Sequence, residues 1–246
     1  MVCLSYVPDT ATRPQIASDG RQIERTSVKF ILNPYDEYAL EEGLLVRERF
    51  GGEVLAVCVA PDNAREILRT ALAMGVDRAL LVRDEWTLDS FGVGVALATV
   101  AQRYNADLLL MGRQSIDFDS FQMASTVGEL LGYPSVSVVS RLVIMEDGTV
   151  VAERDVEGGK EIVHTRLPCV VSVQKGINEP RYPKLPDIIK AKSKPVDEIV
   201  LPSEGPLCEI VAMELPQRSR AGKILGASDA ELEELIRLLH EEAKVI

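Results

Sequence analysis

Histidine and long apolar runs are both scarce in this chain of 246 residues, and each scarcity excludes a class of function. Only two histidines are present, His164 and His240, and they lie far apart in the sequence. They offer almost no material for a zinc site or for a histidine-based catalytic triad. No apolar run reaches the roughly 18 residues that a membrane-spanning helix requires.

Cysteine is also rare, with four residues and no CxxC or similar spacing that would indicate a metal site. Three of them, Cys3, Cys58 and Cys169, lie inside apolar runs, which is typical of buried thiols in a reducing compartment. The opening MVCLSYVPD lacks the basic flank and the cleavage site of a signal peptide, so we expect a first strand there. The sequence therefore predicts a cytoplasmic protein.

Positive charge is in short supply, since the net charge is −11. A surface that binds nucleic acid needs clustered lysine and arginine to neutralise phosphates, and this balance argues against one. The one notable basic cluster lies between Asn178 and Lys194 and contains a single aromatic residue, Tyr182. We interpret it either as a solvated loop or as a loop that docks on another protein.

Apolar runs alternate with amphipathic segments over the first 135 residues. The amphipathic segments lie within residues 35–50, 64–75 and 93–104, and Asn33 and Pro34 are suited to begin the first helix. Such alternation predicts an α/β fold with a parallel sheet. The predicted parallel strands are Val2–Val7, Val54–Val59, Ala79–Val82 and Leu108–Met111.

The remaining segments follow other patterns. A turn at residues 18–20 predicts a hairpin-like excursion over Pro14–Phe30. Leu167–Val173 is expected to return to the main sheet. Strands that alternate in polarity and are separated by glycine turns predict an antiparallel meander over Val136–Met145, Thr149–Val156 and Lys160–Arg166.

The C-terminal part lacks a sustained pattern. Prolines between Asn178 and Pro195 argue against regular structure through much of that segment, and Val196–Ala227 is predicted to be an extended arm. Ser228 and Glu231 form a capping box, which predicts a terminal helix. Its apolar stripe must be buried on its own domain or on a partner subunit. We therefore expect a domain over 1–192 and an arm with a helix over 193–246 that packs on a partner. The stripe consists of Leu232, Leu235, Ile236, Leu239 and Ala243.

Three short segments are candidates for a binding site. The first, Gly112–Gln122, follows a strand and precedes a helix, where a ligand phosphate meets free N–H groups. It is alternatively a plain loop in which Asp119 or Ser120 caps the helix. The others are a helix start at Asn33–Asp36 and a turn at Val7–Thr10, which lies near the same crevice. Gly92 and Gly94 lack the third glycine of a dinucleotide fingerprint, and no P-loop motif is present.

Five segments in this order resemble the β subunit of the electron-transfer flavoproteins, over about residues 2–195. The most specific is NEPRYPKLPDIIKAKSKP at 178–195, which is similar to the family's NEPRY…LP.IMKAKKKP signature. NPYDEYALEE at 33–42, LAMGVD at 72–77, GRQSIDFD at 112–119 with Gln122, and ERDVEGGKE at 153–161 resemble further family motifs.

The resemblance implies a Rossmann-like, adenine nucleotide alpha hydrolase-like domain that pairs with a larger α subunit. That subunit holds most of the electron-carrying FAD, and the β subunit binds AMP in the common type or a second FAD in electron-bifurcating relatives. Electrons enter from flavin dehydrogenases such as acyl-CoA dehydrogenases and leave to a quinone-linked oxidoreductase or another acceptor. The chain itself is then an electron carrier subunit and not an enzyme.

The resemblance also assigns roles to individual residues. Thr10 matches a position near the partner's flavin ring, and Leu185 matches the residue that docks into dehydrogenases, together with Pro186, Ile188 and Ile189. Positions that match nucleotide contacts are Cys3 through its backbone, Asn33, Pro34, Tyr35, Asp36, Val59, Gly112, Arg113, Gln114, Ser115, Ile116, Asp117, Phe118, Asp119, Ser120, Phe121, Gln122 and Met123.

Departures from the family bear on which nucleotide is bound. Met123 stands where many members have a threonine or valine, and a methionine cannot donate a hydroxyl hydrogen bond. Val7–Thr10, VPDT, resembles bifurcating members, whereas Phe118 and Phe121 match their loop poorly. We favour AMP over a second FAD. A rival of another class is a stand-alone nucleotide sensor of the universal-stress type, which shares the general fold.

Overall fold

The apolar runs form strands, and the amphipathic segments form the helices between them. The computed structural model describes residues 1–26, 28–202, 205–216 and 222–245. Its strands are β1 (Val2–Leu4), β2 (Tyr6–Pro8), β3 (Phe30–Leu32), β4 (Leu55–Ala60), β5 (Arg78–Arg83), β6 (Leu108–Gly112), β7 (Ser135–Ile144), β8 (Thr149–Val156), β9 (Gly159–Arg166), β10 (Cys169–Val173) and β11 (Asp197–Ile199). Its helices are α1 (Pro34–Phe50), α2 (Arg65–Met74), α3 (Ser90–Arg103), α4 (Met123–Leu131), α5 (Leu185–Ser193) and α6 (Asp229–Arg237), which continues into a π-helical turn at Leu238–Glu242.

Nine of these strands form one mostly parallel sheet in the order β11-β5-β4-β1-β6-β10-β7-β8-β9. Neighbours from β11 to β7 pair in parallel, and β7, β8 and β9 pair antiparallel. The predicted α/β class and the antiparallel meander are confirmed. The expected return of the chain after the meander is confirmed as well, because β10 lies between β6 and β7.

Helices cover both faces of this sheet. On one face, α1 and α2 bury Leu40, Leu44 and Leu68 against the strands. On the other face, α3 and α4 bury Val100 and Val127. The central parallel strands β1, β4, β6 and β10 are therefore buried on both sides, which explains why the sequence shows continuous apolar runs there in place of alternation.

The first strand is shorter than the sequence predicts, because the run Val2–Val7 divides at Ser5. The N–H of Ser5 donates to the side chain of Asp36 (2.7 Å), and its carbonyl accepts from the N–H of Asn33 (3.0 Å). Neither group is left for the main sheet, so β2 departs and pairs antiparallel with β3. The excursion between them is hairpin-like, as predicted, with an antiparallel bridge between Ile16 and Ile23; Ser27 lies outside the described residues.

The proline-rich segment contains a helix that the sequence reading did not expect. Helix α5 forms because Pro186 lies in its first turn, where a missing N–H group costs no intrahelical hydrogen bond. Its buried contact is Ala191, and the helix packs on α2. The prediction of little regular structure was therefore wrong for Leu185–Ser193.

The chain divides into two compact units, Met1–Ala212 and Met213–Ile246. In the second unit the capping box at the start of α6 is confirmed, with Ser228 and Glu231 bonded reciprocally. No described residue of α6 is buried. Residues 203, 204 and 217–221 of the predicted arm lie outside the described residues, and the division at 192 stays a prediction. Within the described ranges, no helix combines the length and the apolar character needed to cross a membrane.

Candidate functional site

The strand order reverses at β1, and this reversal locates the candidate site. From β1 the chain proceeds through β4 to β5 on one side and then crosses to β6 on the other. In open parallel sheets a crevice opens beyond the carboxyl ends of the strands at such a point, and ligands bind there. The carboxyl ends of β1 and β6 and the first turn of α1 meet at this crevice.

Asp36 joins the three elements. Its Oδ2 accepts from the N–H of Ser5 at the end of β1 (2.7 Å), and its Oδ1 accepts from the N–H of Gly112 at the end of β6 (2.8 Å). Burial raises the pKa of Asp36 to about 7, although both backbone donors act in the opposite direction. Because both oxygens are engaged by backbone, Asp36 fixes the walls of the crevice.

Gly112 is required by the close approach of α1 to β6. A Cβ atom at this position would lie 2.5 Å from Oδ1 of Asp36, 2.5 Å from Cβ of Tyr35 and 2.7 Å from its backbone carbon. Backbone cannot yield to such an overlap as a flexible side chain would. Glycine at this position therefore lets α1 approach β6 closely enough for Asp36 to accept from the N–H of Gly112.

Asn33 precedes α1, as predicted, but its side chain does not cap the helix. Instead Nδ2 donates across the crevice to the carbonyl of Gln114 (2.9 Å). The residue is fully buried, and its Oδ1 has no hydrogen-bond partner among the described residues. A buried acceptor without a partner is unfavourable, so its presence at a crevice indicates a group that a ligand can satisfy.

Arg113 and Gln114 contribute two more unpartnered atoms. The Nε of Arg113 and the Oε1 of Gln114 are both buried and have no partner in the part of the chain that the structure describes. The guanidinium of Arg113 lies 4.9 Å from the ring centre of Tyr35 and 5.0 Å from that of Phe121. Two acceptors and one donor on residues 33, 113 and 114 are thus left for a ligand that has both donor and acceptor groups.

The outer half of the loop is exposed to solvent. Oδ1 of Asp117 accepts from the N–H of Phe118 (2.9 Å), and Asp119 accepts from the side chain of Gln114. Phe118 is 67% exposed. Ser115 and Ile116 are half-buried, and Ser120, Phe121 and Gln122 are exposed. The contacts that the resemblance assigns to this half stay predictions.

Helix α4 begins later than a cap by Asp119 or Ser120 would require. Its first residue is Met123, which is half-buried, and the residue before it is Gln122. Asp119 and Phe121 have positive φ angles of 53° and 56°, which take the chain out of a helical path. A cap by Asp119 or Ser120 was therefore a wrong prediction.

The remaining predicted residues lie around this centre. Cys3 is buried within β1, where burial raises the pKa of its thiol to about 12, so the thiol stays protonated. Val59 lies near the carboxyl end of β4, next to β1. Pro34 is exposed at the start of α1. Thr10 is exposed beyond the far end of the β2–β3 ribbon, so the structure does not bring it to Asn33 and Gly112.

A cavity lies at the opposite, amino edge of the sheet. It has a volume of about 420 Å³ and is lined by Phe50, Arg78 and Tyr104 among others. The guanidinium of Arg78 pairs with Asp197 (2.9 Å) and lies over the ring of Tyr104. Since none of the unpartnered buried atoms is in its lining, this cavity is not the candidate site. No group of metal-ligating side chains occurs among the described residues.

Known proteins match this chain over most of its length. Residues 21–204 match the family model for the electron transfer flavoprotein domain. The chain is 40% identical to electron transfer flavoprotein subunit beta of Bacillus subtilis (strain 168), over 96% of this chain and 95% of the relative. It is 35% identical to the protein of that name from Bradyrhizobium diazoefficiens and 34% identical to the mitochondrial one of Arabidopsis thaliana, in each case over 100% of this chain and 99% of the relative. This chain belongs to the electron transfer flavoprotein family.

The resemblance to β subunits of this family is confirmed, and the structure explains its most specific motif. Nδ2 of Asn178 donates to the carbonyl of Tyr38 (3.0 Å) and to Glu42 (2.9 Å) on α1. The guanidinium of Arg181 binds both oxygens of Glu41 (2.8 Å each) and one oxygen of Glu48 (2.7 Å). The family motif therefore fastens the segment after β10 to the outer face of α1.

Sequence reasoning gave Asn178 and Arg181 no role of their own. The available indication was the pair Glu41 and Glu48, which are two turns apart on one face of α1, with Glu42 beside them. Hydrogen bonds to Glu41 raise the pKa of Arg181, and burial raises the pKa of Glu42. Four residues after Arg181, α5 begins with Leu185, which is 70% exposed beside exposed Pro186, Ile188 and Ile189.

Proposed function

We propose that this chain is the β subunit of a heterodimeric electron-transfer flavoprotein, and that it acts as an electron carrier subunit without catalytic groups of its own. Its relatives are named electron transfer flavoprotein subunit beta, and the chain covers nearly all of their length. A larger α subunit completes the heterodimer. Acyl-CoA dehydrogenases or similar flavin dehydrogenases supply the electrons, and a quinone-linked oxidoreductase or another acceptor receives them.

The observation that carries the ligand assignment is the set of three unpartnered buried atoms, on Asn33, Arg113 and Gln114. We assign AMP to this crevice. The two acceptor oxygens suit an amino group, and the guanidinium N–H suits an oxygen or a ring nitrogen. Tyr35 and the loop 112–123 complete the walls, and Asp36 holds them in register.

Flavin bound mainly by the α subunit supplies the redox chemistry, which is the ability to accept and pass on electrons. The contribution of the present chain is to position the partner's flavin and the dehydrogenase. Thr10, exposed beyond the β2–β3 ribbon, faces the partner's flavin in this proposal, and the exposed Leu185, Pro186, Ile188 and Ile189 of α5 dock on the dehydrogenase.

The arm after β11 is the second surface in this proposal, and it packs on the α subunit. Val200 and Leu207 are 71% and 72% exposed, and Val211 is 81% exposed. Several exposed apolar side chains along one short segment suit a surface that a partner covers. Asp89 fixes the start of this segment by accepting from the N–H groups of Leu207 and Cys208 (3.0 Å each).

Nucleotide analysis of the complex tests the proposal. Co-expression with an α subunit, followed by extraction and quantification of nucleotides, is expected to give about one FAD and one AMP per heterodimer. Two FAD and no AMP would place a second FAD in the crevice, as in bifurcating relatives. A colourless homodimer that binds ATP would instead support a nucleotide sensor and contradict the carrier function.

A variant of Asn33 localises the nucleotide. Asn33→Ala removes both the unpartnered acceptor and the bond to Gln114, and we expect loss of AMP with FAD retained. Asn105→Ala, at the amino edge, is the matched control and should retain both nucleotides. Retention of AMP by the Asn33 variant would contradict the placement of AMP in this crevice.

A further inference from the structure

The segment between β10 and α5 is fastened to α1 by two side chains, Asn178 and Arg181. Arg181 makes four hydrogen bonds to glutamates, three of them to Glu41 and one to Glu48. Its backbone N–H and its Nε donate to one oxygen of Glu41 (3.1 and 2.8 Å), and a terminal nitrogen donates to the other oxygen (2.8 Å). Together with the bonds of Asn178 to Tyr38 and Glu42, these contacts form what we call the α1 clasp.

Burial makes one contact of the α1 clasp dominant. The side chain of Glu41 is only 6% exposed, whereas that of Glu48 is 48% exposed. A buried carboxylate without its cation is strongly unfavourable, and an exposed ion pair contributes little. Arginine presents two parallel N–H groups to a carboxylate and so fixes direction as well as distance, which lysine cannot do.

The chain between the α1 clasp and α5 is short and stiff. Of the three residues between Arg181 and α5, Pro183 has a fixed φ and Lys184 is extended with φ −74° and ψ 152°, while Pro180 and Pro186 flank this stretch. The N–H groups of Asp187 and Ile188 both donate to the carbonyl of Lys184, which closes the first turn of α5 (2.9 and 3.1 Å). A shift at Arg181 is therefore transmitted to the beginning of α5.

Helix α5 is held at its two ends by different neighbours. Near its C-terminal end, Ala191 is buried against the core that α2 helps to form. At its N-terminal end Leu185 is 70% exposed, and in its middle Ile189 is 61% exposed, so both side chains pack on little of the protein. The α1 clasp is thus the attachment that determines where the exposed apolar edge of α5 points.

We infer that Arg181 and Asn178 are positioning residues for electron entry, because the α1 clasp orients the apolar edge of α5 toward the dehydrogenase. This inference rests on the proposed function for the docking role of α5 alone. The clasp and its effect on α5 are independent of that role. Arg181 touches neither nucleotide nor flavin, so its loss changes recognition of the dehydrogenase and leaves cofactor content unchanged.

The test uses the co-expressed heterodimer with Arg181→Lys, which keeps the positive charge but loses the paired geometry. A purified acyl-CoA dehydrogenase reduced by its substrate serves as electron donor. We expect the KM for the dehydrogenase to rise by ~5-fold or more, equivalent to about 1 kcal/mol. The kcat and the AMP and FAD content should stay unchanged, and amide hydrogen exchange in Leu185–Ser193 should become faster.

Matched variants separate the two parts of the inference. Arg78→Lys alters an arginine that pairs with Asp197 at the amino edge, and it should change neither KM nor exchange in α5. Leu185→Ala should raise KM without faster exchange. If Leu185→Ala leaves KM unchanged, the docking role of α5 fails, and the exchange measurement still decides the role of the clasp.

Unchanged exchange in α5 of the Arg181→Lys variant, together with an unchanged KM, would overturn the inference. Where Arg181→Lys does not yield a folded heterodimer, Asn178→Ala removes a smaller part of the same clasp. For that variant we expect a smaller rise in both KM and exchange, and wild-type values of both would equally refute the role of the clasp.

Discussion

Two buried carboxylates of α1, Asp36 and Glu41, lie within a turn and a half of each other and are stabilised by different means. Asp36 is 2% exposed and is bound by two backbone N–H groups, with no cation in contact. Glu41 is 5% exposed and is bound by a paired guanidinium. The first carboxylate joins the strand ends that form the candidate crevice, and the second fastens the segment that leads to α5. One helix therefore organises two sites through two chemically distinct joints.

This comparison shows that the structural role of a buried acid depends on the groups that bind it and not on how deeply it is buried. Backbone donors tie elements of the sheet together, and they leave the acid sensitive to desolvation. A guanidinium compensates the charge directly and makes the acid dependent on one side chain. Substitutions should therefore affect the two sites in different ways, with different dependence on pH.

The largest loss of stability is expected for Arg181→Met. The substitution leaves Glu41 buried without its cation, and breaking such a pair costs about 3–4 kcal/mol in the free energy of unfolding. Arg78→Met removes a more exposed pair and should cost less than ~1 kcal/mol. Urea unfolding of both variants measures the difference. Equal losses would show that burial of Glu41 is not decisive.

A pH-dependent change is expected for Asp36. Its pKa is raised from 3.8 to about 7, so between these values the folded protein keeps a proton that the unfolded chain has lost. Stability from this group is complete at low pH and is lost as the pH rises toward 7. Relative to Asp36→Asn, which does not titrate, the wild type should lose on the order of 3 kcal/mol across this range.

Urea unfolding of the wild type and Asp36→Asn at several pH values checks this prediction. The difference between their free energies of unfolding should change through the range and then level off above about pH 7. A difference that is constant with pH would mean that the two backbone N–H groups keep the carboxylate ionised throughout. Arg181→Met provides a contrast, because Arg181 does not contact Asp36 and its replacement should leave the titration of Asp36 unchanged.

A smaller loss is expected for Gly112→Ala. The added Cβ would overlap the backbone of Tyr35, and overpacking of this kind costs about 1–3 kcal/mol. Displacement of α1 from β6 should also abolish AMP retention in the proposed heterodimer. Gly159→Ala is a suitable control, because a Cβ there would meet nothing within 4 Å. Thermal unfolding and nucleotide extraction test both; retained AMP would contradict the tight joint.

The smallest change in stability is expected for Leu185→Ala. The side chain is 70% exposed, so its removal should alter the free energy of unfolding by less than ~0.5 kcal/mol. In the proposed function the same change weakens electron uptake from the dehydrogenase. A stability loss well above this limit would show that Leu185 packs on its own chain.

Local patterns were sufficient for most of the main sheet and for helices α1 to α4, but not for β11, which pairs with β5 where an extended arm was expected. Continuous apolar runs predicted β4, β5 and β6, alternation predicted the meander, and the strand-end rule predicted the crevice at Gly112. The division of the first strand at Ser5 was not predictable, because it depends on hydrogen bonds to Asp36 and Asn33, which lie about thirty residues away. Helix α5 was missed since its proline content outweighed the position of Pro186 in the first turn.

For the candidate site, too, some features were predictable from the sequence and others were not. The sequence, through its resemblance to the family, identified Asn33, Asp36 and Gly112 together. It could not assign Asp36 to the strand ends or Asn33 to the carbonyl of Gln114, since both side chains look like ordinary residues of a helix start.

The sequence by itself determined the class of fold, the family and the residues that gather at the crevice, because periodicity and motifs are local properties of the chain. Only the tertiary structure decided what each buried polar group does. Whether a buried carboxylate joins strand ends, as Asp36 does, or fastens a distant segment, as Glu41 does, depends on the donors that surround it. Those donors come from segments distant in sequence.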